Sequence, residues 1–345
     1  MKTMKNTVKC LIAVFTMAMA FVVTNTTAQA AEATERTFDN SVSGIELNAT
    51  QKLNKLGEGT YTGGYVTDIR QTGATLTSAT VTWNAVTGAA AYYVVEVDSY
   101  GYVTNIINTV QDTSITLTLP ESTYGYGVGV IPIDASGNYS TSYGASISVY
   151  TKPKKVTGLK ISGAFASNNK LNVKWNESIC YGFEVVCYNK KGKVVQTVDE
   201  TYYLGTEFSK TNTQNIYTVK IRPYVYVNQT EKLYGEFSKT LYAVPQPAIT
   251  STDNDVRLNS VNLKWKKVKG ATKYDIYVSS SQSGGFKKVA SVKASTKSYK
   301  ITKFNGKTIN TKSTKYIKIV TTAKFGKKVK KSQSNAQLSA TTYYY

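Results

Sequence analysis

Lysine is the residue whose abundance and placement most suggest a chemical task, because it is concentrated in one part of the chain. Residues 246–345 carry 21 basic and three acidic groups, a net charge of +18. Residues 62–152 carry a net charge of −4, and residues 153–245 carry +6. Twenty of those 21 basic residues are lysines, which bind anions by charge density without arginine's bidentate geometry. The sequence therefore predicts electrostatic capture of a polyanion by the last hundred residues.

Two lysine clusters are the candidates for anion binding, one around the last tryptophan and one in a predicted hairpin. Their members are Lys264, Lys266, Lys267, Lys269, Lys327, Lys328, Lys330 and Lys331. Side chains alternate along a strand, so Lys328 and Lys330 are predicted to face one way and Lys327 and Lys331 the other. The candidate polymers are wall teichoic acid, an acidic host glycan and extracellular nucleic acid. The alternative is a lysine-rich surface that only keeps an exported protein in solution.

Residues typical of catalysis are sparse. Histidine, the commonest general base and metal ligand, is absent from all 345 residues. Two cysteines seven residues apart do not make a zinc site, and the sequence has no Gly-rich phosphate loop or Gly-x-Ser-x-Gly motif. Two carboxylates would suffice for a glycosidase, but acidic residues are few. We expect a protein that is not an enzyme and needs no cofactor.

Tyrosine offers a second binding chemistry, because the chain contains 27 and an exposed tyrosine ring can stack on a sugar. The candidates in predicted turns are Tyr100, Tyr102, Tyr139 and Tyr143. Tyrosine is also a favoured strand residue, so this composition has a structural explanation as well. Binding of a neutral carbohydrate stays open as an alternative to anion capture.

The first thirty residues are predicted to be a signal peptide. Lys2, Lys5 and Lys9 precede an apolar stretch at residues 10–23, and Ala28 and Ala30 form the cleavage site. That stretch has 14 residues, fewer than the ~20 needed to span a bilayer, and no later segment is predicted to cross a membrane. We expect a secreted protein that associates with a cell wall non-covalently. A membrane anchor is the competing interpretation.

Cys180 and Cys187, the two cysteines outside the predicted signal peptide, are predicted not to form a disulfide. Cys187 alternates with Phe183 and Val185 on one face of a predicted strand, and Cys180 lies in the preceding turn. Seven residues of extended chain cover roughly 23 Å, far beyond the reach of a disulfide. We therefore expect Cys187 to be buried and Cys180 to be a separate thiol.

Three tryptophans reveal a long repeat. Trp83, Trp175 and Trp265 are 92 and 90 residues apart, and each ends a short strand-like segment. That period fits a β-sandwich of ~100 residues better than a solenoid unit. The predicted organisation is a signal peptide (1–30), a flexible leader (31–61) and three modules at 62–152, 153–245 and 246–345.

The tryptophans and one tyrosine in each copy are predicted to be structural. Each tryptophan should fill the space between two sheets. A tyrosine at the start of a late strand should hydrogen-bond back to the chain at the corner between the sheets. These tyrosines are Tyr124 (or Tyr126), Tyr217 and Tyr316.

Three passages resemble fibronectin type III modules of secreted and surface proteins of Gram-positive bacteria. They are the turn at 133–140 with its Asp-x-x-Gly-Asn sequence, the module opening at 154–159, and the Gly-Ala-x-x-Tyr-x-Ile-Tyr strand at 270–277. The resemblance covers about residues 62–342 and implies an all-β chain of three tandem immunoglobulin-like sandwiches. It further implies a non-catalytic binding or spacing role at a cell surface. Surface proteins are then possible partners, and a pure spacer in a protein assembly is a further alternative.

Overall fold

The structure, a computed structural model, describes residues 61–140, 143–166, 169–228, 230–255, 257–333 and 338–340. Within these ranges the chain forms β-strands, turns and loops, and no helix. The predicted signal peptide with Ala28 and Ala30, and all of the predicted leader except Tyr61, lie outside the described residues. The all-β prediction is confirmed.

The first repeat contains seven strands. They are β1 (Arg70–Ala74), β2 (Ser78–Thr82), β3 (Ala89–Val97), β4 (Val103–Val110), β5 (Ser114–Thr118), β6 (Tyr124–Asp134) and β7 (Ser146–Tyr150). The first, second and fifth strands form a sheet in the order β1-β2-β5, and the others form a sheet in the order β4-β3-β6-β7. Neighbouring strands in the second sheet are antiparallel where β3 meets β4 and β6.

The second repeat has the same strand order. Its strands are β8 (Lys160–Ile161), β9 (Leu171–Lys174), β10 (Gly182–Asn189), β11 (Val194–Glu200), β12 (Gly205–Phe208), β13 (Tyr217–Val227), β14 (Glu231–Tyr234) and β15 (Leu241–Ala243). One sheet has the order β12-β9-β8 and the other β11-β10-β13-β14. The seventh strand is interrupted, because β14 and β15 both pair with β13.

The third repeat follows the same plan with one added hairpin. Its strands are β16 (Ile249–Asp255), β17 (Ser260–Trp265), β18 (Ala271–Ser279), β19 (Lys287–Lys293), β20 (Ser298–Ile301), β21 (Lys303–Phe304), β22 (Lys307–Thr308), β23 (Lys315–Phe325), β24 (Lys328–Lys331) and β25 (Leu338–Ala340). The sheets have the orders β16-β17-β20 and β19-β18-β23-β24, and β25 pairs with the start of β23. This order, found three times, is that of a fibronectin type III-like sandwich. The module boundaries themselves stay predictions.

The chain divides into two compact units that cut across the first repeat. Among the described residues, one unit comprises those up to Ile69 with Thr82–Ile115 and Gly127–Ile147. The other comprises Arg70–Val81, Thr116–Tyr126 and the described residues from Ser148 onwards, and so contains the described part of the second and third repeats.

The tryptophans are buried in all three repeats, in the positions predicted for them. Trp83, Trp175 and Trp265 are each at most 4% exposed. Each ring makes an edge-to-face contact with the first large aromatic side chain of the third strand, at centroid distances of 5.5, 5.4 and 5.6 Å. Those partners are Tyr92, Phe183 and Tyr274. In the second and third repeats, both sheets contribute to the core around the tryptophan.

The corner tyrosine is found at one of its three predicted positions. Tyr217 is buried, and its hydroxyl accepts a hydrogen bond of 3.1 Å from the backbone N–H of Asn212. Tyr124 is 50% exposed, and strand register places Tyr126, the open alternative, where Tyr217 lies in the second repeat. In the third repeat the prediction of Tyr316 was wrong. Register places Lys315 there, because strand alternation turns Tyr316 to the outer face.

A second tyrosine hydroxyl fixes the turn before the third strand in two repeats. The hydroxyl of Tyr274 accepts a 2.8 Å hydrogen bond from the N–H of Val268, and that of Tyr92 accepts a 3.0 Å bond from Val86. The second repeat has Phe183 at this position and a turn shorter by one residue. Only the structure shows the backbone N–H group that each of these two hydroxyls binds.

Candidate anion-binding surface

The first predicted lysine cluster lies on the three-stranded sheet of the third repeat and on the turn that follows it. Lys264, Lys266, Lys267 and Lys269 are all exposed. Lys264 stands in β17 between the buried side chains of Leu263 and Trp265, so its side chain projects from the outer face of that sheet. Alternation along β17 explains the exposure of Lys264, whereas Lys266, Lys267 and Lys269 lie in the turn after the strand on either side of the buried Val268.

The turn of this cluster contacts the second repeat. The N–H of Lys269 donates a 2.7 Å hydrogen bond to the carbonyl of Gln214. Gly270 has a φ of +95°, and a Cβ placed there would lie 2.9 Å from the Cδ1 atom of Ile216. Ile216 and Val244 of the second repeat belong to the third repeat's core cluster. The backbone at Lys269 is therefore part of a packed junction, while its side chain remains exposed.

Three members of the second predicted cluster divide between two sides of β24, as alternation predicted, while Lys327 lies exposed in the turn before that strand. The Nζ atoms of Lys328 and Lys330 lie 5.4 and 5.0 Å from the ring centroid of Tyr242, a residue of β15 in the second repeat. Phe325 packs edge-to-face on the same ring at 4.9 Å. These two lysines therefore belong to the junction, because an aromatic ring faces both ammonium groups. Lys331 projects from the opposite side of the strand.

Lys331 belongs to a basic surface that was not predicted from the sequence. Directly paired residues of neighbouring strands share a face of a sheet. Pairing of Lys293 with Lys273, of Lys273 with Thr322, and of Thr322 with Lys331 makes one row across all four strands. The row spans about 14 Å, three strand spacings of ~4.8 Å.

A second row of the same sheet face lies parallel to the first. Tyr277 of β18 pairs with Lys288 on one side and Lys318 on the other. The Nζ atom of Lys318 is 4.1 Å from the ring centroid of Phe286 and 5.6 Å from that of Tyr277, and burial lowers its pKa. The basic sheet face, as we call it, consists of Lys273, Lys288, Lys293, Lys318, Lys324 and Lys331.

One carboxylate lies among these lysines. Asp275 is 2% exposed, its Oδ1 atom is 3.3 Å from the Nζ of Lys273, and the hydroxyl of Ser291 donates to the same oxygen at 2.7 Å. Burial opposes ionisation of Asp275. The hydrogen bonds from Ser291 and Lys273, and the charges of Lys273 and Lys288, outweigh it and hold the pKa of Asp275 below its ordinary value. The face thus keeps one negative and six positive groups.

The predicted lysine set is therefore only partly brought together. Lys264 and Lys331 lie on different sheets of the sandwich, and Lys328 and Lys330 face the second repeat. Lys288 and Lys318 were recognisable as basic residues of this repeat, but they were not part of the predicted site. Strand register brings the lysines of the basic sheet face together, and that register could not be read from the sequence.

The tyrosines proposed for sugar stacking in the first repeat differ in accessibility. Tyr100 and Tyr102 are 83% and 69% exposed in a tight turn, where Asp98 accepts hydrogen bonds from both backbone N–H groups. Tyr139 is 5% exposed and packs edge-to-face on Tyr93 at 5.6 Å, so the prediction of a surface role was wrong for it. The hydroxyl of Tyr143 donates to the carbonyl of Gly101.

The thiols agree with the sequence prediction. Cys187 is buried and Cys180 half-buried, and they do not form a disulfide. Burial raises the pKa of Cys187 to about 12, so it remains protonated and unreactive at neutral pH. Among the described residues, no group of three or more cysteine, aspartate and glutamate side chains is arranged to hold a metal ion. The same residues include no helix long and apolar enough to span a membrane.

Comparison with known proteins gives fold-level likenesses. No family model matches the chain. A curated relative, the receptor-type tyrosine-protein phosphatase eta of Gallus gallus, is 27% identical over 210 residues, which cover 58% of this chain and 14% of the phosphatase. The matched segment therefore spans about one seventh of that relative.

Solved structures with similar architecture are fibronectin type III arrays. A two-domain segment of chicken tenascin is 19% identical with a TM-score of 0.31, covering 52% of this chain and 100% of its own. The FN1–FN3 domains of chicken CNTN1 are 16% identical with a TM-score of 0.24, covering 82% of this chain and 99% of their own. The fold assignment rests on the strand order of this chain.

Proposed function

We propose that the protein is an exported, non-catalytic binding protein whose third repeat attaches to an anionic polymer through the basic sheet face. The observation that supports this most directly is the pair of lysine rows on one face, with a single buried carboxylate among them. A polymer with a negative group in each repeating unit meets several ammonium groups at once. Wall teichoic acid and acidic glycans have this chemistry, and nucleic acid shares it.

The spacing of the lysines supports recognition by charge density. The ammonium group of lysine sits on a flexible side chain and can adapt to an irregular polyanion. It lacks the planar, bidentate geometry by which arginine recognises a particular anionic group. Each exposed ammonium group contributes roughly 1 kcal/mol near an anionic surface. Removing three should therefore weaken binding about 100-fold. Binding by this mechanism falls steeply as salt screens the charges.

The test compares two triple variants of the whole exported chain with equal net charge. Lys288→Ser, Lys293→Ser and Lys331→Ser remove three lysines of the basic sheet face. Lys264→Ser, Lys267→Ser and Lys300→Ser remove three exposed lysines of the same repeat from the other sheet and its turn. The measurement is retention on heparin-agarose and on purified Gram-positive cell walls across a salt series.

We expect the first variant to elute at markedly lower salt than the parent and the second to elute close to it. Loss of wall retention when teichoic acid is stripped would identify the polymer. Equal shifts of the two variants would contradict the proposal, because they would mean that only total charge matters. Equal, weak retention of all three proteins would leave the lysines as a solubility device.

A further inference from the structure

The second repeat exposes a patch of large apolar side chains that is separate from the basic sheet face. Ile179 and Tyr181 lie in the loop between β9 and β10, and Tyr202 and Tyr203 follow β11. They are 61%, 46%, 74% and 63% exposed, in that order. The ladder between β10 and β11 ends at the pair of Phe183 and Glu200, so the two loops leave the sheet side by side. We call these four residues the tyrosine patch.

A rigid aromatic base supports the patch. The ring of Tyr181 lies 4.8 Å from that of Tyr226 and 6.0 Å from that of Tyr224, and those two rings are 5.5 Å apart. Tyr224 is fully buried, and its hydroxyl donates a 2.6 Å hydrogen bond to Asp199. A Cβ at Gly182 would lie 2.7 Å from the Tyr224 hydroxyl oxygen, so glycine is required there. The exposed ring of Tyr181 is therefore held on a preformed surface.

The charges beside this base are paired within the protein. Lys232 forms an ion pair with Asp199 and lies 3.9 Å from the ring centroid of Tyr224. Arg222 forms an ion pair with Glu184 at 2.7 Å, and the side chain of Arg222 stacks on a neighbouring tyrosine ring at 3.6 Å. Two cations and two carboxylates cancel. A further carboxylate, Glu200, accepts a 3.4 Å hydrogen bond from the N–H of Tyr202. The patch is thus aromatic with a slight excess of negative charge, in contrast to the third repeat.

We propose that the tyrosine patch binds a neutral glycan chain. Planar tyrosine rings cover the apolar faces of sugars, while their hydroxyls and the adjacent carboxylates hydrogen-bond to sugar hydroxyls. Three of the four exposed side chains are tyrosines, and only Ile179 resembles the purely apolar anchors that fill pockets of protein partners. A ligand without charge suits this surface, because its cations are already paired with Glu184 and Asp199, while the carboxylate of Glu200 would repel a polyanion. This site goes beyond the proposed function, because it lies in another repeat and uses another chemistry.

The test uses the whole exported chain and four neutral polysaccharides, namely xylan, mixed-linkage β-glucan, glucomannan and amylopectin. Affinity electrophoresis measures retardation in gels that contain each polymer. We expect retardation by at least one of them, insensitive to salt, and at least tenfold weaker in the variant Tyr181→Ala with Tyr202→Ala. The matched control is Tyr100→Ala with Tyr102→Ala, which removes two exposed tyrosines from the first repeat and should behave as the parent.

Several outcomes would overturn the proposal. These are no retardation in any of the four gels, unchanged retardation of the Tyr181/Tyr202 variant, and loss of retardation in the control instead. Fluorescence titration with a proline-rich peptide completes the test, since binding of that peptide without any glycan would make the patch a protein-recognition surface. Hydrogen exchange of β13 should match the parent in both variants, which shows that the aromatic base is intact. The triple lysine variants leave this experiment unaffected, so failure of either proposal is distinguishable.

Discussion

Lys315 occupies a position that the second repeat gives to its corner tyrosine. The two repeats share the loop before this strand, because Asn212 and Asn310 each accept a 2.9 Å hydrogen bond from the N–H two residues on. In the second repeat the hydroxyl of Tyr217 closes that loop. In the third, Lys315 is 6% exposed, and its ammonium donates hydrogen bonds to the carbonyl of Ser313 at 3.2 Å and to the Ser313 hydroxyl.

Replacing Lys315 by tyrosine should therefore stabilise the third repeat. The new hydroxyl is placed to accept a hydrogen bond from the N–H of Asn310, worth about 1 kcal/mol. The same change removes a buried ammonium group, whose pKa is lowered by desolvation. Lys315→Phe is the matched control, since it supplies the ring without the hydroxyl. We expect Lys315→Tyr to exceed Lys315→Phe by about 1 kcal/mol, and Tyr217→Phe to lose about as much from the second repeat.

The pH dependence follows from the sign of the lysine shift. The folded protein releases the proton of Lys315 at lower pH than the unfolded chain, whose lysines titrate near 10.5. The penalty of the buried charge is complete below the folded pKa and fades as pH rises towards 10.5, so this residue makes stability increase with pH. Lys315→Met lacks the effect, and its advantage over the parent should shrink between pH 7 and pH 10.

The assay is hydrogen exchange of peptides from β17, β18 and β23 across a urea series, which reports on the third repeat separately from the others. Two results would refute the reasoning. One is equal stability of Lys315→Tyr and Lys315→Phe, which would mean that the hydroxyl finds no donor. The other is an advantage of Lys315→Met that does not change with pH.

Two further predictions concern the junction and the thiols. Gly270→Ala should destabilise the third repeat by about 2 kcal/mol, because alanine is disfavoured at a φ of +95° and its Cβ would approach Ile216 within 2.9 Å. Urea unfolding checks it, with Gly306→Ala (φ of +75°, no neighbour within 4 Å of the added Cβ) as the control for the backbone contribution alone. Cys180 should react with Ellman's reagent at pH 8 in the folded protein lacking residues 1–30, and Cys187 only after unfolding, since burial raises its pKa to about 12. Equal rates for the two thiols would contradict this.

The core of the fold was predictable because its signals are local. Each tryptophan ends a strand or directly follows one, and the alternate residues of that strand are apolar. In the second repeat, Cys187 alternates in the same way with Phe183 and Val185. Such alternation decides which side chains face inward without any knowledge of partners. The same rule correctly placed Lys328 and Lys330 on one side of β24.

Features that depend on pairing were not predictable from the sequence. Tyr316 looked like a corner residue because a tyrosine near the start of that strand was expected. A shift of one residue along a strand reverses every side chain, and register brings Lys315 inward instead. The basic sheet face is a similar case, since Lys293 and Lys331 are 38 residues apart and meet only through three strand pairings.

The second and third repeats differ in how charges are paired on the outer face of their corresponding sheets. Glu184 and Asp275 occupy the same position of the third strand, because each precedes the core residue that pairs with the middle of the sixth strand. In the second repeat Arg222 neutralises Glu184, and Asp199 neutralises Lys232 beneath a layer of tyrosines. In the third repeat the face has six lysines and one carboxylate, that of Asp275. Asp275 forms an ion pair with Lys273 and accepts a hydrogen bond from Ser291, so the other five lysines have no carboxylate partner on this face. Because the strand order is the same, this difference in charge pairing is the reason for proposing a polyanion at the third repeat and a neutral ligand at the second.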